Sequence, residues 1–194
     1  MSPCHRIGLE PVRRVVRIAH HSNLPWEDEW TGCDNSPMAS PYAEHVGTAD
    51  PVDVLRSSLE RYHRAIARLA PSRWDEPWSP GKWTVRQILL HVTQWEMIFG
   101  VRLRCGLALP PYTVQPLSQD PFMDIEGPAV DGPTAFAAFD GMRRMNIALV
   151  ASLTDAQRKT PVIHPERGAI DANDLVMTLA GHGVHHLKQL ESTR

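Results

Sequence analysis

Hydrophobic residues recur at three- and four-residue steps in four stretches of the chain, and this period is typical of amphipathic helices. The first predicted helix begins after Asp50, a candidate N-cap, and ends at Pro71. The second begins after Thr84, which forms a capping-box pattern with Gln87, and runs to about Ala108. Both helix starts therefore carry a local signal in addition to an apolar stripe.

Two further helices are predicted in the second half of the chain. The third opens at Pro133, and the fourth follows the candidate N-cap Asp171 and runs nearly to the last residue. Leu179 and Leu190 mark the buried side of the fourth helix. A long connection, residues 109–132, is rich in Pro, Gly and Asp, and the sequence shows no alternating strand pattern. These features predict an all-α fold, a four-helix bundle.

Residues 1–48 differ from the rest of the chain. They are rich in Pro, Ser, Gly and Asn and show no sustained helical or strand period. We expect them to form a poorly ordered N-terminal extension, with residues 49–194 forming the bundle domain. A second interpretation is that translation starts at Met38, which would explain why the periodicity begins soon afterwards. The sequence leaves both interpretations open.

Charge and composition narrow the possible functions. The 194 residues hold 20 basic and 22 acidic side chains, so the formal net charge is −2 and no basic excess is present to neutralise nucleic-acid phosphates. The longest apolar runs are far shorter than the roughly 20 residues that span a bilayer. Three scattered cysteines form neither a disulfide framework nor a metal clip. We therefore expect a cytoplasmic protein that binds neither nucleic acid nor membranes.

Three histidines lie on predicted inward faces. His182 and His186 are four residues apart on the buried side of the fourth helix, and His91 lies on the inner face of the second. A bundle can bring the three imidazoles to one interior point, where a divalent metal would satisfy one nitrogen of each ring. The spacing alone equally allows core histidines bonded to carbonyl groups. Gly183 stands where the HExxH proteases carry their catalytic Glu, which excludes that class.

Two motifs resemble one protein family. The stretch from Pro80 to His91 is similar to the start of the second helix in the DinB-like (YfiT-like) metalloenzymes, and the stretch from Gly181 to Leu190 is similar to their last helix. The His164–Pro165–Glu166 run before that helix also fits the family pattern. The resemblance covers about residues 50–192, and residues 1–48 match nothing in it.

The resemblance implies an up-down-down-up four-helix bundle, often a homodimer, with a three-histidine divalent metal site. The implied ligands are His91, His182 and His186, and the metals in question are zinc, nickel or iron. Family members include transferases and isomerases that use low-molecular-weight thiols, and many members have no known activity. No residue of this chain is assigned a catalytic acid–base role.

Two further residues are candidates to line the pocket. Trp95 is one helical turn from His91, although a core role fits it equally well. His164 precedes the last helix and could instead be a loop histidine with ordinary hydrogen bonds. His63 could also approach the pocket but is expected on a helix surface. His185 should point away from the metal, about 100° around the helix from His186. Trp83 is expected to staple the second helix to its core.

Glu96 is a possible hydrogen-bond acceptor for a ligand histidine.

Three functions follow from the residues and the resemblance together. The first is a metal-dependent enzyme, a thiol S-transferase or isomerase that binds a small thiol. The second is a non-catalytic metal- or ligand-binding bundle acting as a stress-associated homodimer. The third, direct DNA binding, conflicts with the charge balance.

Overall fold

The computed structural model describes residues 40–192, in which four long helices dominate. In chain order the elements are α1 (Ala43–Val46), α2 (Pro51–Ala67), a 3-10 turn at Pro71–Arg73, α3 (Val85–Ala108), β1 (Tyr112–Thr113), α4 (Asp120–Glu126), α5 (Gly132–Ser152), α6 (Asp155–Arg158), β2 (Pro161–His164), β3 (Gly168–Asp171) and α7 (Ala172–Ser192). Helices α2, α3, α5 and α7 are the four predicted from the apolar periodicity. The predicted four-helix bundle is therefore confirmed.

The helix starts are fixed by the side chains that the sequence pattern singles out. The Asp50 carboxylate accepts hydrogen bonds from backbone N–H groups in the first turn of α2. Thr84 and Gln87 form a reciprocal capping box at the start of α3, with bonds of 3.2 and 2.9 Å. Asp171 and Asp174 cap α7 in the same reciprocal way. Each cap satisfies N–H groups that have no partner inside the helix.

Two apolar clusters set the direction of the four helices. One cluster joins the first half of α2 and of α7 to the second half of α3 and of α5, through side chains such as Leu55, Leu179, Leu103 and Val150. The other joins the opposite halves of the same helices. Helices α3 and α5 therefore run parallel to each other and antiparallel to α2 and α7, which is the up-down-down-up arrangement.

The two long connections carry a small sheet that the sequence analysis does not predict. Strand β1 pairs with β2 in parallel, Tyr112 opposite Val162, and β2 pairs with β3 in antiparallel register, Val162 opposite Ile170. Val162 is fully buried in the first cluster, so the sheet closes one end of the bundle. Strands of two and four residues are too short to show a period-2 pattern in the sequence.

The ordered domain begins before the predicted boundary at residue 49. Residues 40–48, assigned above to the extension, include α1 and pack against α7: Ser40 Oγ lies 2.9 Å from Thr178 Oγ1. A Cβ built at Gly181 would lie only 2.2 Å from the backbone oxygen of Tyr42, so the absence of a side chain there permits this contact. The rest of the predicted extension, residues 1–39, lies outside the described residues, as does Met38. Among residues 40–192, none of the helices is long and apolar enough to cross a membrane.

Candidate metal centre

Three histidine side chains from two helices meet inside the bundle. His91 projects from α3, and His182 and His186 project from successive turns of α7. The ring centroids are 5.0 Å apart for His91–His182, 4.6 Å for His91–His186 and 4.5 Å for His182–His186. Each ring offers one nitrogen, and these nitrogens all lie within 4.8 Å of one another. We call this group the histidine triad; it unites the three residues proposed from sequence spacing.

The surroundings keep the histidine triad uncharged. Its three side chains are at most 6% exposed. Burial lowers the pKa of His186 to about 3 and holds the pKa values of His91 and His182 well below the ordinary value. The neighbouring imidazoles lower the last two further, because like charges would repel. At neutral pH all three rings therefore have a lone pair available, which is the form that binds a metal.

The hydrogen bonds of the histidine triad leave it incomplete without a further group. His91 Nε2 and His182 Nε2 lie 3.0 Å apart, whereas the buried Nδ1 of His91 has no hydrogen-bond partner. His186 Nδ1 lies 2.9 Å from the amide oxygen of Gln189. Since that oxygen can only accept, Nδ1 of His186 donates and its Nε2 is left with a lone pair. The two nitrogens of one imidazole point in different directions, so an ion at the Nε2 atoms would leave Nδ1 of His91 as it is, and the case for an ion rests on the converging Nε2 atoms.

The donor set fits a divalent ion. Two nitrogens bound to one ion at about 2.1 Å, with bond angles of about 90–109°, are separated by roughly 3.0–3.4 Å, which includes the 3.0 Å between His91 and His182. Neutral imidazoles suit zinc, nickel, copper and iron. Three protein ligands also leave coordination positions open for a small molecule.

Gly183 allows α7 to approach a buried arginine beside the histidine triad. A Cβ at Gly183 would lie 2.5 Å from one guanidinium nitrogen of Arg143 and 3.1 Å from the other. The Tyr62 hydroxyl donates to the Gly183 carbonyl at 2.8 Å. Gly183, which excludes an HExxH protease motif, is therefore explained by the close packing of α7 against Arg143.

Glu96 does not accept a hydrogen bond from a ligand histidine, so that prediction is wrong. Its carboxylate, 1% exposed, accepts from Arg143 Nε at 2.6 Å and from Asn146 Nδ2 at 2.9 Å. Arg143 also donates to Ser58 at 3.1 Å. This buried network connects α2, α3 and α5 directly behind the α7 segment that carries His182.

Three aromatic side chains contact the rings of the histidine triad. Trp95, a predicted pocket residue, lies 6.1 Å from His91 and 5.8 Å from His182 between ring centroids. Trp83 was expected only as a core staple, but its ring lies 4.8 Å from His91 and stacks on His186 at 6.3 Å. Tyr42, which the sequence analysis missed, directs its ring edge at His182 at 5.2 Å. We call Tyr42, Trp83 and Trp95 the aromatic wall.

The other histidines lie outside the histidine triad. His185 points away from it, as expected, and its ring forms a hydrogen bond with the ring of His45 at 3.2 Å. His164, a predicted pocket residue, accepts backbone N–H bonds from Glu166 and Arg167 within the β2–β3 hairpin, and no ring contact joins it to the histidine triad in the described residues. His63 lies on the surface beside Asp140, as predicted.

Comparison with known proteins finds one matching family and several similar proteins. The model of the DinB superfamily matches residues 55–190. A protein of Bacillus mycoides (strain KBAB4) is 26% identical over 131 residues, and one of Bacillus cereus (strain B4264) is 25% identical over 131 residues. Each alignment covers 68% of this chain and 76% of the relative. Both relatives are named, provisionally, as metal-dependent hydrolases.

A solved structure has the same fold. YfiT from Bacillus subtilis superposes with a TM-score of 0.65 at 22% sequence identity, covering 73% of this chain and 82% of its own. It is described, again provisionally, as a metal-dependent hydrolase with an unusual four-helix bundle topology. The likeness shows that the two chains share a four-helix bundle fold.

Proposed function

We propose that this chain, which belongs to the DinB superfamily, is a metal-dependent enzyme whose divalent ion is bound by His91, His182 and His186. The observation that carries the proposal is the histidine triad itself: three buried, neutral imidazoles converge, and each offers one nitrogen within 4.8 Å of the other two. The names of the relatives, metal-dependent hydrolases, point to the same dependence. The ion is zinc, nickel or iron, the metals that the family resemblance implies and that suit imidazole ligands.

The ion would supply Lewis acidity at its open positions, where a bound thiol or water loses its proton more easily. The chain's own residues do the rest. Gln189 fixes the ring of His186 through a 2.9 Å hydrogen bond, as an outer partner of a ligand histidine commonly does. The aromatic wall excludes bulk water from the histidine triad and gives a flat apolar surface on which a substrate can lie.

The nucleophile that we propose is a small thiol. Glu96 is occupied by Arg143 and Asn146, so it is not available as a general base. A thiol has an ordinary pKa of about 8.5, far below the pKa of water, so a thiol needs less assistance to react. In such a transfer its proton passes to solvent, its sulfur forms a bond to an electrophilic carbon, and the leaving group departs with the bonding electrons. Hydrolysis, the activity in the relatives' names, is the competing reaction at the same site.

Metal content is the first test. We expect about one divalent ion per chain in the wild-type protein, measured by plasma mass spectrometry after reconstitution, and loss of the ion in His91→Ala and His186→Ala. His63→Ala is the matched control, because His63 is an exposed histidine paired with Asp140. A wild-type protein that takes up no metal, or ligand variants that retain it, would refute the proposed site.

Activity then separates the reaction classes. The metal-loaded protein is assayed with a small thiol and chlorodinitrobenzene, from which chloride is displaced, and separately with a nitrophenyl ester in the absence of thiol. Thiol-dependent chloride displacement that is lost in His186→Ala supports the transferase. Ester hydrolysis alone supports the hydrolase of the relatives' names. A bound metal with neither activity favours the non-catalytic binding protein, for which a homodimer in light scattering is the expected assembly.

A further inference from the structure

Three arginines are buried in the described part of the chain, and they differ in their partners. Arg143 is paired with Glu96 and Arg167 with Asp174. Arg102 is 7% exposed, yet no carboxylate of residues 40–192 lies within 4.0 Å of its guanidinium. Its guanidinium donates a hydrogen bond to a neutral acceptor, the Gln115 carbonyl, at 2.7 Å. Burial lowers the pKa of Arg102, and the more distant Glu166 carboxylate offsets this only in part. A buried cation without a carboxylate in contact is unfavourable, so its position calls for an explanation.

Arg102 lies on the same stripe of α3 as the metal ligand. It follows His91 by eleven residues, which is about three helical turns and returns to the same face. Its guanidinium carbon lies 5.6 Å from the ring centroid of Trp95, and Trp95 in turn lies 5.8 Å from His182. This placement agrees with the tendency of long helical side chains to point towards the N-terminus. Trp95 therefore connects the guanidinium to the histidine triad.

The chain itself compensates the Arg102 charge only in part. The rings of Trp95 and Phe99 each face the guanidinium carbon at 5.6 Å, and such cation–π contacts are weaker than a pairing with a carboxylate. A planar guanidinium with donors on several edges is suited to bind a carboxylate or phosphate through two parallel hydrogen bonds. A substrate that reached both the histidine triad and Arg102 would extend along this stripe of α3, past Trp95.

We propose that Arg102 binds an anionic group, a carboxylate or a phosphate, on the substrate whose reacting atom lies at the histidine triad. Trp95 supports the chain between the two ends. The substrate class is then an anionic thiol, with its charge separated from its sulfur by several bonds. This inference rests on the proposed function for the identity of the reacting atom, but the anion site stands on the burial and partners of Arg102.

Matched thiols test the proposal. The metal-loaded wild-type protein is titrated calorimetrically with ω-mercaptocarboxylates of three to eight carbons and with the mercaptoalcohols of equal length. At the best chain length we expect the carboxylate to bind at least about tenfold more tightly than the alcohol, as a charge-assisted hydrogen bond contributes. The ratio should fall to near one in Arg102→Met and take an intermediate value in Arg102→Lys. Arg104→Gln removes a positive charge from the same helix and should leave the ratio unchanged.

Two further readouts keep the result independent of folding and of the reaction. Arg102→Met should bind the metal like the wild type and should melt at the same or a higher temperature without ligand, because it removes a buried unpaired charge. A lower melting temperature would assign Arg102 a structural role and overturn the proposal, as would equal binding of acids and alcohols at every length.

Alkanoates without sulfur separate this proposal from the proposed function. If no thiol is bound or turned over, Arg102-dependent binding of these alkanoates to the wild-type protein would uphold the anion site while the thiol function fails. If the alkanoates also bind independently of Arg102, both inferences are wrong.

Discussion

Gly183 lies between two proposed metal ligands, and its replacement by Ala tests how α7 is fixed in the bundle. In an isolated helix the change would stabilise by about 1 kcal/mol, because Gly is a poor helix former. Here the new methyl group would lie 2.5 Å from a guanidinium nitrogen of Arg143. Arg143 is 1% exposed and held by Glu96 and Ser58, so it has no free space into which to move.

The expected change in the free energy of unfolding follows from these opposing effects. Overpacking a core typically costs about 1–3 kcal/mol, and breaking a buried ion pair costs about 3–5 kcal/mol. With part of the strain relieved by a small shift of α7, we expect a net loss of about 2–4 kcal/mol in the free energy of unfolding. Because the shift displaces His182, the affinity for metal should fall in the same variant.

Urea unfolding of the metal-free protein measures the first effect, and competition with a chelator measures the second. Gly141→Ala is the matched control: Gly141 lies within α5, and a Cβ there would meet nothing within 4 Å. That variant should gain up to about 1 kcal/mol. A Gly183→Ala protein that is as stable as Gly141→Ala would refute the packing argument.

Three other outcomes are expected. Glu96→Gln leaves the Arg143 charge uncompensated and should lower the free energy of unfolding by about 3–5 kcal/mol. The control Glu60→Gln, at an exposed position, should change it by less than about 0.5 kcal/mol in the same urea assay. Equal effects of the two substitutions would be inconsistent with a buried pair. Removing the metal should lower the melting temperature, since an ion at one hundred times its dissociation constant contributes about 2.7 kcal/mol; a scan unchanged by chelator would contradict the site. In the metal-free protein, burial lowers the pKa of His186 to about 3. The free energy of unfolding should therefore be constant above about pH 7 and fall as the pH drops below about 6.5, because only the unfolded chain then takes up the proton. Acid titration followed by circular dichroism measures this, and stability that rises on acidification would disprove it.

The helices could be predicted because their signals are local. The caps at Asp50 and Thr84 and the apolar stripes both act within a few residues of sequence, and the structure places both helix starts where they indicate. The sheet could not be predicted in this way, because its strands are short and β1 pairs with β2 across some fifty residues of intervening chain. The stability of such a pairing comes from the bundle end that it covers rather than from its own residues.

The candidate site, too, could be predicted only where the signal was local in the sequence. The histidine triad was identified because His182 and His186 share a face of one helix, which spacing reveals directly. Glu96 was misassigned although it follows His91 by five residues, about 140° around the helix, so it faces α5 instead. Trp83 precedes its helix, and no period predicts the direction of its ring.

Arg102 carried a signal that the sequence analysis did not use: a charged residue on an otherwise apolar inner stripe. A helical projection from His91 would have shown it. Tyr42 had no comparable signal, because residues 40–48 lack any sustained period and their contact with α7 depends on the small residue at Gly181.

The contact between Tyr42 and Gly181 bears on where this domain can be cut for expression. The family match begins at residue 55, yet the aromatic wall includes a side chain thirteen positions earlier. A fragment trimmed to the aligned region would uncover the edge of His182 and leave a notch along α7 at Gly181, into which water could enter. The alignable unit and the unit that encloses the site therefore differ, and a recombinant fragment should keep the residues from Ser40 onward.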